Sequence, residues 1–234
     1  MARRSLLARL ERTLEPEPME GERSVRVYDA LAGAHHFLDE RFVRRVLRFG
    51  VVQGRALDVG CGSGTVALLL SQAAPGLRVV GLDLSEAMLD LARWKAAEGG
   101  AGAVRFVRAD AKALPFAGQS FDLVVSHHTF HHVPQPAGVL MEMRRVARAG
   151  APVVVRDLCR PTRAWQLEFF VRVVGRIYNR LGPDADLARQ IYRQSLEAAL
   201  SPREWELLAA ECGIARRCVT HGPLTSHTDI AFRR

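Results

Sequence analysis

Three alternate glycines follow a short apolar stretch that contains an aspartate. Residues 56–59 precede Gly60, Gly62 and Gly64, and a second apolar stretch, residues 66–70, begins soon afterwards. Glycine is needed where the backbone takes a positive φ or comes close to a ligand. Because the turn opens a helix, free N–H groups and the positive end of the helix dipole face whatever binds there. The pattern predicts a strand, a tight turn and a helix that bind a ligand; a turn without a ligand is the alternative interpretation.

Three aspartates stand at or near the ends of predicted strands. Asp58 lies in the end of the first strand, Asp83 ends the second and Asp110 ends the third. Ligands of doubly wound sheets bind beyond the carboxyl ends of the strands. Asp83 follows the glycine turn by about 20 residues, the spacing at which a carboxylate accepts both hydroxyls of a ribose. We expect Asp110 to meet an adenine amino group, with a loop cap as the alternative, and Asp58 to hold the glycine loop or an amino group through water.

The spacing of the glycines distinguishes between nucleotide ligands. A nicotinamide site needs G-x-G-x-x-G, whose third glycine permits close helix packing, whereas here the third glycine is Gly64 and Val66 and Ala67 follow. An acid two residues before Gly60 favours a cationic ligand end over a pyrophosphate. An amino acid joined to an adenosine has such an end, and S-adenosylmethionine is a ligand of this kind.

Four histidines follow the fourth predicted strand: His127, His128, His131 and His132. A histidine that titrates near neutral pH can accept a substrate proton. His127 and His128 are therefore the candidate catalytic residues, and His131 and His132 are assigned to supporting the loop. Pairs at i and i+4 can bind zinc, but spacing offers no third ligand, so no metal is expected.

The elements that must position these residues alternate along the chain. Apolar stretches predicted as strands cover residues 56–59, 77–83, 104–110, 121–126 and 152–157, and helical patterns cover residues 5–14, 37–49, 86–98 and 139–146. Strands that alternate with helices indicate an α/β fold with a parallel, doubly wound, Rossmann-like sheet.

The pattern changes after the fifth strand. Trp165, Phe169, Val173 and Ile177 recur every four residues, which predicts a long helix with an apolar face. A further helical pattern covers residues 187–200, a capping box opens a helix at residues 201–204, and two short runs at residues 217–220 and 228–232 predict a terminal antiparallel pair. We expect residues 158–200 to be a helical insertion that covers an acceptor.

These motifs resemble the class I S-adenosylmethionine-dependent methyltransferases. The resemblance is carried by residues 57–64, Asp83, Asp110 with Ala111, residues 121–126 and residues 130–134. Within that family the chain is most similar to the small-molecule group that resembles the enzymes of ubiquinone and menaquinone biosynthesis. The resemblance covers roughly residues 25–157 and implies a seven-stranded sheet whose last strand is antiparallel. Residues 158–200 match no part of the family known to us, so the acceptor stays open.

The resemblance also implies which residues bind S-adenosylmethionine. The glycine loop would face the methionine part, which Tyr28 would close; Asp83 would bind the ribose, Met88 the adenine face, and Asp110 and Ala111 the adenine edge. The full expected set is Tyr28, Asp58, Gly60, Cys61, Gly62, Gly64, Asp83, Leu84, Met88, Asp110, Ala111 and Ser126.

The expected activity is methyl transfer from S-adenosylmethionine to a small-molecule acceptor. The alternatives are an RNA or protein methyltransferase and a non-catalytic S-adenosylmethionine-binding protein. Methylation of adenine or glutamine amino groups in the superfamily typically uses an Asn/Asp-Pro-Pro-Tyr motif after the fourth strand. Residues 126–129 read Ser-His-His-Thr here, which argues against those two acceptors.

Composition narrows the partners and the compartment. The chain has 234 residues and a net charge of +8, and all its basic residues except Lys95 and Lys112 are arginines. A preference for arginine is what a GC-rich genome encodes in any protein, and the positive charge is spread along the chain without a basic block. A nucleic-acid partner is therefore possible but not favoured. We expect a single cytoplasmic domain without a membrane span or disulfides, acting as a monomer or homodimer. Its parts are residues 1–50 with N-terminal helices, the cofactor-binding core 51–157, the insertion 158–200, and the C-terminal helix and strand pair 201–234.

Overall fold

Strands along the chain form one mixed sheet. The structure, a computed structural model, describes residues 9–15, 27, 29–30, 33, 36–99, 104–222 and 226–234. The described strands are β1 (Gln53–Val59), β2 (Gly76–Asp83), β3 (Val104–Arg108), β4 (Leu123–His127), β5 (Pro152–Leu158), β6 (Val219–His221) and β7 (His227–Arg233). They form a seven-stranded sheet in the order β3-β2-β1-β4-β5-β7-β6. Strands β1 to β5 are parallel, and β7 is antiparallel to its neighbours β5 and β6. The predicted fold class, with its antiparallel last strand, is confirmed.

Helices connect the strands much as the sequence indicates. The described helices are α1 (His36–Leu47), α2 (Thr65–Ala73), α3 (Glu86–Glu98), α4 (Pro136–Val146), α5 (Ala164–Tyr178), α6 (Ala185–Ala198) and α7 (Pro202–Glu211). The Ser85 hydroxyl accepts a hydrogen bond from the Met88 amide at the start of α3. Ser201 and Glu204 form the predicted capping box of α7, in which each side chain accepts from the other residue's amide.

The sheet separates two cores because successive side chains of a strand point to opposite faces. Leu57, Val59, Val124 and Val155 pack on one side in a core that also contains Met143 of α4 and Trp205 of α7. Ala56, Leu123 and Val154 pack on the other side against α1 and α2. Each fully buried leucine or valine stabilises the fold by about 1.5–3 kcal/mol. These two layers hold the carboxyl ends of β1, β2, β4 and β5 at one edge.

The insertion after β5 forms a third core through a face of α5 that the periodicity did not indicate. Leu167, Val171 and Tyr178 are buried with Tyr192 and Leu196 of α6. The stripe that predicted the helix stays exposed instead: Trp165 is 49% exposed, Phe169 56%, Val173 43% and Ile177 36%. The helix is therefore confirmed, whereas its more regular apolar stripe is not the face that packs.

The predicted helix over residues 5–14 is wrong for the part that the structure describes. Residues 9–15 form no helix, and Arg9 forms an antiparallel bridge with Arg163. Tertiary bonds replace the helical ones: the Thr13 amide donates to the Glu197 carbonyl, and the Leu10 carbonyl accepts from Arg160. A single helix of about ten residues is marginal by itself, so these contacts determine the conformation.

Candidate active site

A cavity of about 1070 Å³ opens at the carboxyl ends of the parallel strands. Its wall contains the glycine loop, the ends of β2, β4 and β5, the face of α1 and parts of α5 and α6. The residues from the expected cofactor set that line it are Asp58, Gly60, Cys61, Gly62, Asp83, Leu84, Met88, Asp110 and Ala111. The sequence therefore identified nine of the residues that line this cavity.

Two predicted contacts are not part of the wall. Ser126 is fully buried, and its hydroxyl donates to the Val59 carbonyl at 2.8 Å, which joins β4 to β1 under the cavity. Gly64 has a φ of 83° and lies where a Cβ would come within 3.0 Å of both the Ala92 methyl and the Phe106 ring. It permits close packing of α2 and lies outside the cavity lining. Tyr28 lies outside the described residues.

Gly62 forms a cradle that opens into the cavity. Its φ is 52°, in the left-handed region, and a Cβ there would meet no atom within 4 Å. The Gly62 amide donates to Oδ2 of Asp83 at 2.8 Å, and the Ser85 amide donates to Oδ1 at 2.9 Å. Asp83 thus fixes the glycine loop and keeps further acceptor capacity on both oxygens.

Asp58 is buried below the glycine loop with both carboxylate oxygens unpartnered. It is 1% exposed, and neither oxygen forms a hydrogen bond of normal geometry with a described residue. Burial, followed by repulsion from Asp83, raises the pKa of Asp58 to about 7, although the backbone amide of Ala67 opposes the shift. An unpaired buried carboxylate is costly, and a cationic amino group beside it would remove the cost.

Asp110 accepts a hydrogen bond within its own loop and also lines the cavity. Its Oδ1 accepts from the Lys112 amide at 2.8 Å, and its Oδ2 lies 3.5 Å from the Lys112 ammonium. Both interpretations drawn from the sequence, a loop cap and a ligand contact, are compatible with this position.

His127 is held by two residues of α1 that the sequence did not single out. Its Nδ1 lies 3.1 Å from Oδ1 of Asp39, which is itself buried, and its ring stacks on Phe42 with centroids 4.6 Å apart. Its Nε2 is buried and has no hydrogen-bond partner among the described residues. Only the folded chain brings Asp39, 88 positions earlier in sequence, to this imidazole. The arrangement fixes the ring and leaves one nitrogen for proton transfer.

His128 continues the row of rings in a backbone conformation that is uncommon for a residue other than glycine. Its φ is 56°, and its ring stacks on His127 with centroids 4.1 Å apart. Its Nε2 lies 3.0 Å from Nε2 of His227, on β7. All three histidines line the cavity, so the structure adds His227 to the two predicted candidates.

Asp157 holds the loop that carries the histidines. One carboxylate oxygen accepts from the amides of Thr129 and Phe130, and the other accepts from Leu158 and lies 2.6 Å from Nδ1 of His131. Burial alone would raise the pKa of Asp157, but the charge of His131 and these hydrogen-bond donors lower it. Burial alone would lower the pKa of His131, but the negative charge of Asp157 outweighs that effect, so the pKa of His131 is raised. His131 therefore supports the loop.

Glu15 joins His131 and His132 to form a group of three potential metal ligands. One donor atom each from Glu15, His131 and His132 lie within 4.8 Å of one another. Spacing could not reveal Glu15, which comes from the N-terminal segment. Its Oε2 is paired with Nδ1 of His132 at 2.9 Å, which fastens that segment beside the cavity.

The half of the cavity beyond the histidines is largely apolar. Its walls include Leu158 and the following residues of the insertion: Phe169, Phe170, Val173, Val174, Tyr178, Ile191 and Tyr192. The cavity thus has a polar half, lined by the glycine loop and the ends of β1 and β2, and an apolar half, lined by the insertion. His127 and His128 stand at the end of β4, which lies between β1 and β5 in the sheet.

Comparison with known proteins identifies the family. A family model described as "Methyltransferase domain" matches residues 57–155. The chain is 35% identical over 184 residues to the demethylmenaquinone methyltransferase of Roseiflexus castenholzii, and the match covers 76% of each chain. The chain belongs to the class I S-adenosylmethionine-dependent methyltransferases. It is similar to relatives of the quinone-biosynthesis type.

Solved structures of methyltransferases share the fold. A provisionally assigned S-adenosyl-L-methionine-dependent methyltransferase from Methanococcus maripaludis is 17% identical, with a TM-score of 0.72 over 95% of this chain and 97% of that one. The magnesium protoporphyrin IX methyltransferase of Synechocystis PCC 6803, solved with bound SAH, is 18% identical, with a TM-score of 0.61 over 94% and 90%.

Family membership establishes the cofactor and the general reaction. The methyltransferase uses S-adenosylmethionine and transfers its methyl group to a small-molecule acceptor. The cradle at Gly62 and the orphaned carboxylate of Asp58 fit a ligand with a cationic amino group. Within the described part of the chain, no helix is long and apolar enough to cross a membrane.

Proposed function

We propose that the acceptor is a small molecule with a ring-sized apolar body that gives up a proton to His127 as it is methylated. The observation that carries this proposal is the unpartnered Nε2 of His127, held by Asp39 where the polar and apolar halves of the cavity meet. S-adenosylmethionine supplies an activated methyl group when bound. The chain supplies positioning, water exclusion and an acceptor for the proton.

We propose that the polar half binds the cofactor residue by residue. Asp83 accepts the ribose hydroxyls with the lone pairs that its two backbone bonds leave free. Asp58 compensates the ammonium group of the methionine part. Met88 packs on the adenine, whose edge meets Asp110 and Ala111. The loop from Gly60 to Gly62 contacts the methionine part.

Asp39 acts as a positioning residue in this proposal. A carboxylate at Nδ1 fixes the tautomer and orientation of an imidazole and stabilises the imidazolium after proton transfer. Stacking between Phe42 and His128 restricts ring rotation further. His128 is the second candidate base, since its ring also lines the cavity.

The identity of the acceptor is open to a direct assay. The relative from Roseiflexus castenholzii is named for demethylmenaquinone, so reduced demethylmenaquinone heads a panel that also contains neutral and acidic aromatic compounds and total RNA. We expect S-adenosylhomocysteine to form with a small aromatic member of the panel. Turnover with RNA alone would contradict the proposal, and no turnover with any member would leave only cofactor binding.

Single substitutions test the base. His127→Ala should lower turnover by about 10²–10⁴-fold with nearly unchanged affinity for S-adenosylhomocysteine, and wild-type turnover should fall as the medium is acidified, because a protonated base accepts no proton. Asp39→Asn should reproduce part of the loss and change the pH profile. His36→Ala is the matched control, because His36 is half exposed and its ion-pair partner among the described residues is Glu40, on the same helix. Wild-type rates and pH profiles in both the His127 and the Asp39 variant would refute the assignment.

We also propose a cytoplasmic enzyme that works as a monomer or homodimer. All four cysteines are unpaired, which suits a reducing compartment. Light scattering coupled to gel filtration measures the oligomeric state, and a tetramer would contradict this part of the proposal.

A further inference from the structure

Five arginines line the cavity on the side of the fifth strand. Four of them, Arg41, Arg44, Arg45 and Arg48, stand at i, i+3, i+4 and i+7 along and just beyond α1, and the fifth is Arg156 in β5. The helical spacing places the four on one face. None of these arginines is accounted for by the binding of an adenosine or by the proposed base.

The strand register places Arg156 beside His127, the proposed base. Arg156 pairs with His127 of β4 on one side and with Asp229 of β7 on the other. Side chains of directly opposed residues stand on the same face of a sheet. Arg156 therefore lies next to the acceptor half, and β4 separates it from β1 and its glycine loop.

Positive charge exceeds negative charge at this wall. Asp229 is shared by two guanidinium groups, at 2.7 Å from Arg45 and 3.4 Å from Arg156. Among the described residues, neither Arg41 nor Arg48 makes a hydrogen bond or ion pair to an acid. The other nearby acid, Asp39, pairs with His127.

The positively charged side chain of Arg156 is largely buried. The Arg156 side chain is 19% exposed, and its Nε is buried without a hydrogen bond. Burial, and after it the charges of Arg45 and Arg41 against the opposing effect of Asp229, lowers the pKa of Arg156. Guanidinium groups crowded in a partly desolvated wall are stabilised by an anion that accepts their remaining N–H groups.

We propose that the methyl acceptor carries an anionic group, a carboxylate or a phosphate, which Arg41, Arg45 and Arg156 bind next to His127. This inference rests on the proposed function, because it takes the apolar half of the cavity as the acceptor site. The carboxylate of the cofactor offers the same chemistry. The position of the cluster on the β5 and β7 side, away from the glycine loop, assigns it to the acceptor.

Binding of matched probes to the protein saturated with S-adenosylhomocysteine tests the proposal by calorimetry. The probes are 2-naphthoate, the neutral 2-naphthalenemethanol with the same ring, and inorganic phosphate. We expect naphthoate to bind about tenfold or more tightly than the alcohol, since one charge-assisted hydrogen bond is worth that much. Arg41→Met and Arg156→Met should abolish the difference, whereas Arg203→Met, at an exposed position of α7, should retain it.

The outcomes separate the inference from the proposed function. Equal affinity for naphthoate and the alcohol, or no binding of naphthoate or phosphate at millimolar concentration, would overturn the anionic acceptor. A large loss of S-adenosylhomocysteine affinity in Arg41→Met would assign the arginines to the cofactor carboxylate and would also overturn it. If the wild-type protein binds no S-adenosylhomocysteine, the cofactor site, and with it the proposed function, fails first.

Discussion

Replacing Asp58 by asparagine should make the protein without cofactor more stable at alkaline pH and weaken its binding of S-adenosylhomocysteine. The carboxylate is buried, neither of its oxygens forms a hydrogen bond of normal geometry with a described residue, and its pKa is raised from 3.8 to about 7 although the Ala67 amide opposes the shift. The folded state therefore holds a proton that the unfolded chain releases near pH 4. The contribution of this bound proton to the free energy of unfolding is fully present below the pKa of the unfolded chain, 3.8, and is lost as the pH rises from there through about 7.

The magnitude follows from the size of the shift. A difference of about three pKa units corresponds to about 4 kcal/mol over the full window, of which about 2–3 kcal/mol falls between pH 5 and pH 8. An asparagine carries no titrating proton, so Asp58→Asn should lack this part of the pH dependence. At pH 8 the variant without cofactor should therefore be the more stable protein.

Urea unfolding at pH 5 and pH 8 measures the difference. The wild-type free energy of unfolding should fall more steeply with pH than that of Asp58→Asn, and saturating S-adenosylhomocysteine should reduce the difference because its ammonium group stabilises the ionised Asp58. Parallel pH profiles for the two proteins would refute the assignment of a buried, unpaired carboxyl at this position. An undiminished affinity of the variant for S-adenosylhomocysteine would refute its pairing with the amino group.

Three further predictions concern the cofactor site and its cover. Asp83→Ala should weaken S-adenosylhomocysteine binding, because each charge-assisted hydrogen bond to the ribose is worth about 1.5–3 kcal/mol; calorimetry that shows unchanged affinity would contradict the ribose contact. Gly62→Val should abolish binding while the protein stays folded by circular dichroism, since its side chain would enter the cavity at a φ that valine disfavours; a variant that still binds would reduce the loop to a turn. Residues 160–200 should become more protected from hydrogen exchange when cofactor and acceptor bind, because Phe169 and Val173 of the exposed stripe line the cavity; equal, high protection with and without ligands would argue against a mobile cover.

Local patterns were sufficient to predict most of the fold and to identify residues that line the cavity, among them Asp58, Gly62 and Asp83. Helix α3 begins and ends at the predicted residues, because Ser85 caps it and a glycine follows it. The glycine loop and Asp83 could be found because chain direction alone brings the end of each parallel strand to the same edge. Their expected role in cofactor binding rests on short sequence spacings and stays a prediction.

The remaining features depend on contacts between distant segments. Residues 9–15 are not helical despite their helical pattern, because they form hydrogen bonds to α6 and to Arg160 instead. Asp39 and Arg156 reach His127 only through the packing of α1 and the register of β5. Ser126 directly precedes His127, which lines the cavity, yet its side chain is directed to the opposite face of the sheet, because successive side chains of a strand alternate between the two faces. Periodicity also could not decide which apolar face of α5 would be buried.

The position of the S-adenosylhomocysteine sulfur in a crystal structure of the complex tests the central claim most directly. We expect adenosine between Asp83, Met88 and Asp110, with the sulfur at the junction of the two halves and facing His127. The apolar space below α5 should then stay open to an acceptor. A sulfur that faces away from His127, or a cofactor that fills the apolar half, would contradict the account.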